Sequence, residues 1–383
     1  MLMQPRKFRR LPFAAALAAS LLLGACASSD DRYEPAKLTS YTPGATISTV
    51  WSVDIGSGGG SGFVPAVSGD AVYAATPGGT VSKVDLSSGR VIWSNRVARK
   101  LSAGVGTDGN LVVVVTPAGE IITLDGDGQE KWRAKATSEV LIPPVVDDGY
   151  VVVRSGDYRI QAFNADTGAR LWSVQRPGPA LALRAPTQMI LVDGLLITGM
   201  PGGKMLVINV ATGNVQWEGT VATPKGATDL ERVTDVVGQP QVVGALLCAA
   251  AYQGRVLCFD VSQGGRIVWS KDFSSSSGIS VDDRLLFASS QNSEVFGFML
   301  EDGTTLWHQD ALRNRSLTAP QVKGGVVAVG DYDGYVHFLD RADGHLLGRV
   351  SLGGGAIVSP LQASYAGVLV QTGNGKLSLL SVN

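Results

Sequence analysis

Histidine and cysteine, the residues that most often bind metals or act as nucleophiles, are scarce in this sequence. Its 383 residues include three histidines and three cysteines. His308, His337 and His345 do not share a metal-ligand spacing with cysteine or acidic residues. We therefore predict surface histidines, no metal site and no bound cofactor.

Charged residues are also few, at 17% of the chain, and they form no stripe of lysine and arginine. Because nucleic-acid-binding proteins usually carry such a stripe, a nucleic-acid partner is not expected. The motifs G-x-S-x-G, H-E-x-x-H and the P-loop are absent as well. The sequence thus predicts no catalytic residue and a protein that is not an enzyme.

Helical periodicity is rare, and short apolar runs take its place. Examples are LVVVV at 111–115, YVVV at 150–153 and GVVAV at 325–329. Runs of this length, rich in β-branched residues and bounded by Gly, Asp, Asn or Pro, are typical of strands. We predict an all-β fold.

The N-terminal residues differ from the rest of the chain. Four basic residues precede the uncharged stretch 11–29, which is the pattern of a secretory signal. This stretch contains LLGAC, which resembles the lipobox of bacterial lipoproteins, with Cys26 as the lipidated residue. We predict a lipoprotein signal peptide at 1–25 and a lipidated flexible tether at 26–48. An uncleaved membrane-spanning helix is the alternative.

The residue after Cys26 bears on the location. It is Ala27, whereas an aspartate there resembles a retention signal for the inner membrane. We therefore predict a lipid-anchored protein of the outer membrane that faces the periplasm.

Tryptophan marks a repeat of about forty residues, a period typical of β-propeller blades. All seven tryptophans take the same place in the repeat, on its fourth strand, which indicates that each ring packs between neighbouring blades. They are Trp51, Trp93, Trp132, Trp172, Trp217, Trp269 and Trp307.

The number of repeats predicts an eight-bladed β-propeller at 49–383, with four antiparallel strands in each blade. Seven repeats end on a fourth strand, the last of them at Gly348 without tryptophan, and three further strands follow. The fourth strand of blade eight is therefore expected to be TVWSVDI, around Trp51, which closes the ring. Since this strand would begin on the face opposite the connections between blades, the tether is expected to leave from that opposite face.

The repeat pattern (D/N)-x-x-(T/S/D)-G-x-x-x-W resembles that of pyrroloquinoline-quinone dehydrogenases, which are also eight-bladed. With the lipobox and the tether, the whole mature chain resembles the BamB family of lipoproteins. The resemblance implies a non-catalytic scaffold that binds the POTRA region of BamA in the outer-membrane β-barrel assembly (BAM) complex and assists insertion of proteins into the outer membrane. Unfolded outer-membrane proteins are a further expected partner, and the propeller by itself is expected to be monomeric.

Two alternatives to this scaffold belong to other classes of protein. One is a periplasmic quinone-dependent dehydrogenase, although the chain has no adjacent pair of cysteines and no recognisable set of calcium ligands. The other is an unrelated propeller adaptor of the cell envelope, because repeats specify a fold better than a partner.

Two long connections carry the residues that the family resemblance implies for BamA binding. The loop 175–189 contains Leu181, Leu183 and Arg184, and the loop 218–240 contains Asp235. The family motif in the second loop has another acidic residue two positions later, where this sequence has Val237. Both loops are expected on one face of the disc, on adjacent blades.

The second loop also contains a capping box. Thr228 and Glu231 predict a short helix over TDLERVTDV, with Leu230 and Val233 packed onto the blade.

Cys248 and Cys258 flank the turn AYQGR, so a hairpin centred on Gln253 would place them opposite each other. In an oxidising compartment a disulfide across the two strands is one outcome. Two buried thiols on one face are the other, because the strand register decides the geometry.

Overall fold

In the computed structural model, the valine-rich runs form strands that are buried along their whole length. Leu111–Val115 and Val326–Gly330 are examples, each the second strand of a blade. A strand covered on both faces reads as a continuous apolar run, whereas a strand with one solvated face alternates. Val91–Arg96, a fourth strand, is partly or fully exposed along its length, so the outer strand of a blade is less buried than its second strand.

The structure describes residues 33–382, except Arg184 and Pro186. The chain divides between Pro35 and Ala36 into two units, of which the first is described only at 33–35, where every residue is exposed. The predicted signal peptide 1–25 and Cys26 lie outside the described residues. Among the described residues, no helix is both long and apolar enough to span a membrane.

The described residues of the second unit contain thirty-two strands, arranged in eight four-stranded sheets. The first four blades consist of β2–β5 (Ala66–Ser68, Ala71–Ala75, Thr80–Asp85, Val91–Arg96), β6–β9 (Ala103–Thr107, Leu111–Val115, Glu120–Asp125, Glu130–Lys135), β10–β13 (Val145–Asp147, Tyr150–Arg154, Arg159–Asn164, Arg170–Gln175) and β14–β17 (Met189–Val192, Leu195–Met200, Lys204–Asn209, Val215–Thr220). Blades five to seven consist of β18–β21 (Val236–Val243, Leu246–Ala251, Arg255–Asp260, Arg266–Asp272), β22–β25 (Gly278–Val281, Leu285–Ser289, Val295–Met299, Thr305–Gln309) and β26–β29 (Gln321–Lys323, Val326–Gly330, Tyr335–Asp340, Leu346–Ser351). Blade eight combines β30–β32 (Gln362–Ser364, Gly367–Gln371, Lys376–Val382) with β1 (Ile47–Asp54).

Blade eight closes the ring with strands from both ends of the chain. β1 pairs antiparallel with β32, and Trp51 lies opposite Leu379. The predicted eight-bladed propeller and its closing strand are therefore confirmed, although β1 begins at Ile47 rather than at residue 49. Closure leaves no blade without a neighbour on either side.

Strand direction defines two faces of the disc. Successive strands of a blade are antiparallel, so connections between blades and the turns between second and third strands lie at the same end. We call this end the connection face. The turns between first and second strands and between third and fourth strands form the opposite face, where β1 begins.

Each tryptophan contacts the following blade at the turn between its third and fourth strands. Trp132 is representative: its Nε1 donates to the carbonyl of Ala165 at 2.8 Å, and its ring lies against Gly168. A Cβ at Gly168 would stand 2.6 Å from the ring, and the residue has a φ of +71°. Only glycine fits this place, because a side chain would meet both the ring and a strained backbone.

The same contact recurs around the ring. Six of the seven tryptophans donate to a carbonyl of the next blade: Trp51, Trp93, Trp132, Trp172, Trp269 and Trp307. The glycines that face the seven rings are Gly89, Gly128, Gly168, Gly213, Gly265, Gly303 and Gly344. Trp217 differs because the turn it faces is longer and contains a short 3-10 helix, Val261–Gln263. Its ring instead meets Phe259 edge-on, with centroids 4.9 Å apart.

Residues 36–46, which we call the strap, are bonded along the outer edge of blade seven. Ala36 N donates to Arg313 O at 2.9 Å on the connection face. Gly44 N donates to Leu347 O at 3.0 Å, near the start of β29 on the opposite face. This part of the predicted tether thus crosses blade seven from one face to the other before β1 begins. The expectation that the tether leaves from the opposite face is therefore wrong, because Ala36 lies on the connection face.

A buried ionic cluster lies beneath the strap. The Arg315 guanidinium donates to Asp331 at 2.8 Å and to Asp333 at 2.7 Å. His337 Nε2 lies 2.8 Å from Asp331 Oδ2, and Arg349 Nε donates to His337 Nδ1 at 3.2 Å. Since Nδ1 accepts, Nε2 carries the ring hydrogen of a neutral imidazole. His337 is 0% exposed, so the prediction of surface histidines is wrong for this residue.

The pKa values of the cluster follow from its burial. Burial lowers the pKa of His337, and although Asp331 opposes this effect, the repulsion from Arg349 and Arg315 adds to it. Burial alone would raise the pKa of Asp331, but hydrogen bonds from His337, Tyr335 N and Arg315 more than offset this and lower it. Both shifts favour the folded state at neutral pH over acidic pH.

Truncating Trp132 should destabilise the whole domain. We expect Trp132→Ala to lower the free energy of unfolding by about 3–5 kcal/mol, because a large buried ring is lost. Trp132→Phe keeps most of the packing but leaves Ala165 O without its donor, and should cost about 1–3 kcal/mol. Urea unfolding measures both values. Leu171→Ala, at a half-exposed site on β13, is the control, and an equal loss there would contradict the packing role.

The stability of the domain should fall when the pH is lowered below about 6.5, the usual histidine pKa. The unfolded chain protonates His337 in this range, whereas the folded protein does not, so protons favour unfolding. His337→Gln should flatten the dependence of the unfolding free energy on pH. His345→Gln, at an exposed histidine, serves as the control. An unchanged pH profile in the His337 variant would show that this residue is not the source.

Candidate partner-binding site

The two long connections singled out in the sequence are neighbours on the connection face. Residues 176–188 join β13 to β14, and residues 221–235 join β17 to β18. Thr187 forms an isolated parallel bridge with Gly238, and Gln188 N donates to Gly238 O at 3.1 Å. The connections therefore form one continuous surface across blades three to five, as the sequence predicts.

The first connection presents two leucines to solvent. Leu181 is 49% exposed and Leu183 is 36% exposed. Arg184, the third residue of the predicted motif, lies outside the described residues. Exposed leucines on a segment without regular secondary structure bury little in the chain itself, so their apolar surface is free to meet a partner.

Asp235 has a different environment from the leucines. It is 3% exposed, and both of its carboxylate oxygens accept hydrogen bonds from backbone amides. Oδ2 accepts from Leu183 N, and Oδ1 accepts from Gly202 N at 3.0 Å. The side chain thus joins the first connection, the second connection and the turn of blade four.

Among the described residues, Arg154 supplies a positive charge that acts on this carboxylate. It ends β11, and its Nη1 donates to Thr198 Oγ1 at 3.2 Å and to Gly199 O on the next blade. Burial lowers the pKa of Arg154 to about 10, although the charge of Asp235 opposes this effect. Burial also raises the pKa of Asp235, against the opposing amides and Arg154. Each group thus offsets part of the cost of burying the other.

Tyr158 supports the first connection from below. Its hydroxyl donates to Pro179 O at 3.2 Å, and its backbone has a φ of +62°, which is uncommon for a residue with a side chain. A Cβ at Gly178 would lie 1.9 Å from the Tyr158 ring. The chain can therefore pass over the ring only because residue 178 is glycine.

A cavity of about 450 Å³ opens beside Leu183. Its lining includes Phe63, Leu141, Arg154, Tyr158 and Leu183, together with polar groups from several connections. Leu141, like Leu183, is 36% exposed. The apolar surface of the first connection thus continues into a concave region at the centre of the connection face.

The second connection does not form the predicted helix. The capping-box hydrogen bonds are present: Glu231 accepts from Thr228 N at 3.1 Å, and Glu231 N donates to Thr228 Oγ1 at 3.3 Å. Residues 227–232 nevertheless form only bends and turns, and β18 begins at Val236. Too few residues remain for a helix to propagate beyond its first turn.

Three apolar residues of this region have different exposures. Leu230 is 72% exposed, which makes the expectation that it packs onto the blade wrong, whereas Val233 is 7% exposed. Val237 is 1% exposed and pairs with Ala250 within blade five. A carboxylate at this position would be buried in the sheet, so valine suits the site in this chain.

Asp340, Asp343 and His345 are the one group of candidate metal ligands that the described residues bring together. They lie in a turn of blade seven on the face opposite the connections. Asp340 accepts from Ala342 N at 2.6 Å, and Asp343 accepts from His345 N at 3.1 Å. These hydrogen bonds shape the turn itself, so the grouping follows from the repeat.

Cys248 and Cys258 are joined by a disulfide between β19 and β20. The register places them directly opposite each other, and both residues are almost fully buried. Of the two outcomes that the sequence left open, the structure contains the cross-strand bond, inside blade five and away from the connection face.

Sequence reasoning missed Arg154, Tyr158 and Gly178, which hold the first connection in place. A signal for Arg154 exists: it ends a buried second strand at a place where the other blades have uncharged residues. Charged residues are rarely buried without a partner, so an arginine there indicates a nearby acid. Tyr158 and Gly178 give no such signal, because their contact joins two separate loops.

Comparison with known proteins identifies the family. The family model described as outer membrane protein assembly factor BamB matches residues 38–100, 77–309 and 300–383. The chain is 60% identical over 373 residues to the protein of that name from Bordetella pertussis, covering 97% of each chain. It is 39% identical to the one from Burkholderia pseudomallei, covering 94% of this chain and 95% of that one. This chain belongs to the BamB family.

Solved structures agree with this assignment. The crystal structure of BamB from Moraxella catarrhalis superposes with a TM-score of 0.81 at 26% identity, covering 88% of this chain and 100% of that one. A europium-containing methanol dehydrogenase superposes with a TM-score of 0.68 at 14% identity, covering 88% of this chain and 93% of the other. The latter likeness shows the propeller fold alone.

The disulfide can be tested by titrating thiols in the unfolded protein. A Cys26→Ser chain, exported to an oxidising compartment and unfolded without reductant, should contain no reactive thiol. The same sample should contain two after reduction, from Cys248 and Cys258. Two thiols before reduction would contradict the bond. Far fewer than two after reduction would point to another modification of these residues.

Proposed function

We propose that this chain is a lipid-anchored, non-catalytic scaffold that assists the assembly of outer membrane proteins by binding BamA. The names of its relatives support the assembly role, since proteins up to 60% identical to it are called outer membrane protein assembly factor BamB. Lipidation of Cys26, location at the periplasmic side of the outer membrane and membership of the BAM complex belong to the same proposal.

The observation that carries the binding site is the pair of exposed leucines on a connection that buried groups hold in place. Stable interfaces are centred on apolar side chains that lose their water on binding, surrounded by polar residues. Leu181 and Leu183 supply the apolar centre, and Arg184 supplies the neighbouring charge. Their loop is fastened by Asp235 and Tyr158, so little conformational entropy is lost when the partner binds.

Asp235 acts in this proposal as a positioning residue. Its carboxylate is nearly buried, and both of its oxygens are occupied by amides. Because it is 3% exposed, it offers little surface for a hydrogen bond to BamA. We infer that Asp235 contributes to binding by holding Leu183 N, and with it the leucine side chain, in a fixed position relative to blade four.

The apolar pair can be tested by truncation. We expect Leu181→Ala combined with Leu183→Ala to weaken binding to the periplasmic region of BamA at least about tenfold, because each buried anchor is worth about 1–2 kcal/mol. The free energy of unfolding should stay nearly constant, since both side chains are already exposed. Leu306→Ala, at a leucine of similar exposure on blade six, is the matched control. Calorimetric titration provides the affinities.

Asp235→Asn separates positioning from direct contact. Asparagine has nearly the same shape, but its amide group cannot accept from both Leu183 N and Gly202 N. We expect weaker binding to BamA together with faster hydrogen exchange at Leu183 N. Weaker binding with unchanged exchange would indicate direct contact instead.

Full BamA binding by the double leucine variant would reject the connection face as the binding site.

A further inference from the structure

The strap, residues 36–46, is held to blade seven by contacts along its whole length. Arg315 Nη1 donates to Ala36 O at 3.0 Å, and Leu38 packs against the apolar cluster between blades six and seven. Further along, Arg349 donates to Thr39 O at 3.3 Å. The Arg349 guanidinium also lies 5.2 Å from the centre of the Tyr41 ring. Side chains of the strap and of the propeller both contribute, so the attachment is not confined to one end.

Arg315 connects the strap to the inside of the propeller. Its side chain is only 4% exposed, and the Asp331 it contacts is 0% exposed. A buried guanidinium requires several acceptors. Two carboxylates satisfy part of this requirement, and the carbonyl of Ala36 completes it. One of the two described hydrogen bonds of Ala36 is thus made with a buried side chain.

The outer strand of blade seven accommodates the strap because it lacks the tryptophan. Gly348 occupies that place on β29, and a Cβ there would lie 2.5 Å from Ile47 Cγ1. A Cβ at Gly44 would likewise lie 2.4 Å from Leu347. Two glycines therefore allow the chain to pass closely over β29 and enter β1. In the repeats that keep the tryptophan, the ring fills this space.

The direction of the strap determines at which face of the disc the tether that precedes Ala36 is attached. β1 begins on the face opposite the connections, so without the strap the tether would leave there. The strap runs back across blade seven and brings Ala36 to the connection 310–320, on the connection face. Cys26 and Ala36 are ten residue steps apart, and at about 3.3–3.6 Å per step the distance is at most about 36 Å.

We propose that the strap makes the connection face the surface of the disc that is turned towards the lipid membrane. This inference rests on the lipidation of Cys26 in the proposed function. A short tether that starts on one face holds that face nearer to the bilayer than the other. The anchor and the proposed partner-binding leucines then share a side of the disc.

Energy transfer to acceptor lipids measures which face is nearer to the membrane. The lipidated full chain, reconstituted in vesicles without BamA, is labelled at Ala118→Cys or at Asp127→Cys. Both residues are exposed and belong to blade two, but Ala118 lies on the connection face and Asp127 on the opposite face. We expect higher transfer from position 118. Equal transfer, or higher transfer from position 127, would overturn the proposal.

A variant of the strap tests whether the strap causes this orientation of the disc. Leu38→Asp combined with Tyr41→Ala removes contacts of the strap and leaves the Arg315–Asp331 pair in place, so the propeller should still fold. The difference between the two labels should disappear or reverse, because the tether then extends from Cys26 to β1 and starts on the opposite face. Thr42→Ala, at an exposed strap residue, should behave like the native chain. A persistent preference for position 118 in the double variant would overturn the role of the strap.

Trypsin provides a readout that does not depend on lipid. Lys37 is the one basic residue of the strap, and cleavage after it requires the backbone to leave blade seven. The native chain and the Thr42 variant should be cut slowly there, and the double variant quickly. Equal rates would overturn the docking of the strap. Failure of the protein to float with vesicles, with native protection at Lys37, would instead reject the lipid anchor of the proposed function.

Discussion

The contact between a tryptophan and the last turn of the next blade is the interaction on which the ring depends. It combines a large apolar ring, a hydrogen bond from Nε1 and a glycine whose missing side chain lets the ring approach. Because the tryptophan belongs to one blade and the glycine to the next, the two parts of the sequence pattern serve different contacts. The aspartate or asparagine and glycine shape a turn, and the tryptophan ending the same repeat reaches the turn that follows. Each repeat thus offers its glycine turn to the tryptophan of the preceding blade and its own tryptophan to the following blade. A closed array of blades requires contacts of this kind on both sides.

The blade in which the two ends of the chain meet explains why one repeat lacks the tryptophan. Blade eight has no turn between its third and fourth strands, because β32 is C-terminal and β1 is N-terminal. A tryptophan at position 348 would have no glycine turn to stack on. Gly348 stands there instead, and Ile47 takes the space beside it. Closure by two ends of the chain, the loss of this tryptophan and the passage of the strap are therefore consequences of a single constraint.

The sequence predicts the parts of the structure that local chemistry encodes. Strand composition repeats in eight blades and the tryptophan in seven of them, and antiparallel strands assign every connection to a face, so the blade count and the position of the two long loops follow. What it does not predict depends on contacts between side chains of different segments. His337 was expected at the surface, but Arg315, Asp331 and Arg349 from three other segments enclose it. The strap has little apolar periodicity, and its attachment depends on one buried arginine and two glycines. The prediction of a helix at 228–236 was wrong for a related reason. Its capping box is present, but β18 begins before a helix could extend beyond it.

In the proposed function, the candidate site divides its residues into those that face the partner and those that keep the loop in place. An exposed loop without secondary structure loses its geometry unless buried groups hold its backbone. Asp235 serves here because a carboxylate can accept two amides from different segments at once, and the charge of Arg154 reduces the cost of burying it. An acidic residue in a binding motif therefore need not touch the partner to matter for binding. The same logic applies to Arg315, which is buried and yet determines where the strap ends. In both places a buried charge bonds to backbone groups of a surface segment and holds that segment against the propeller.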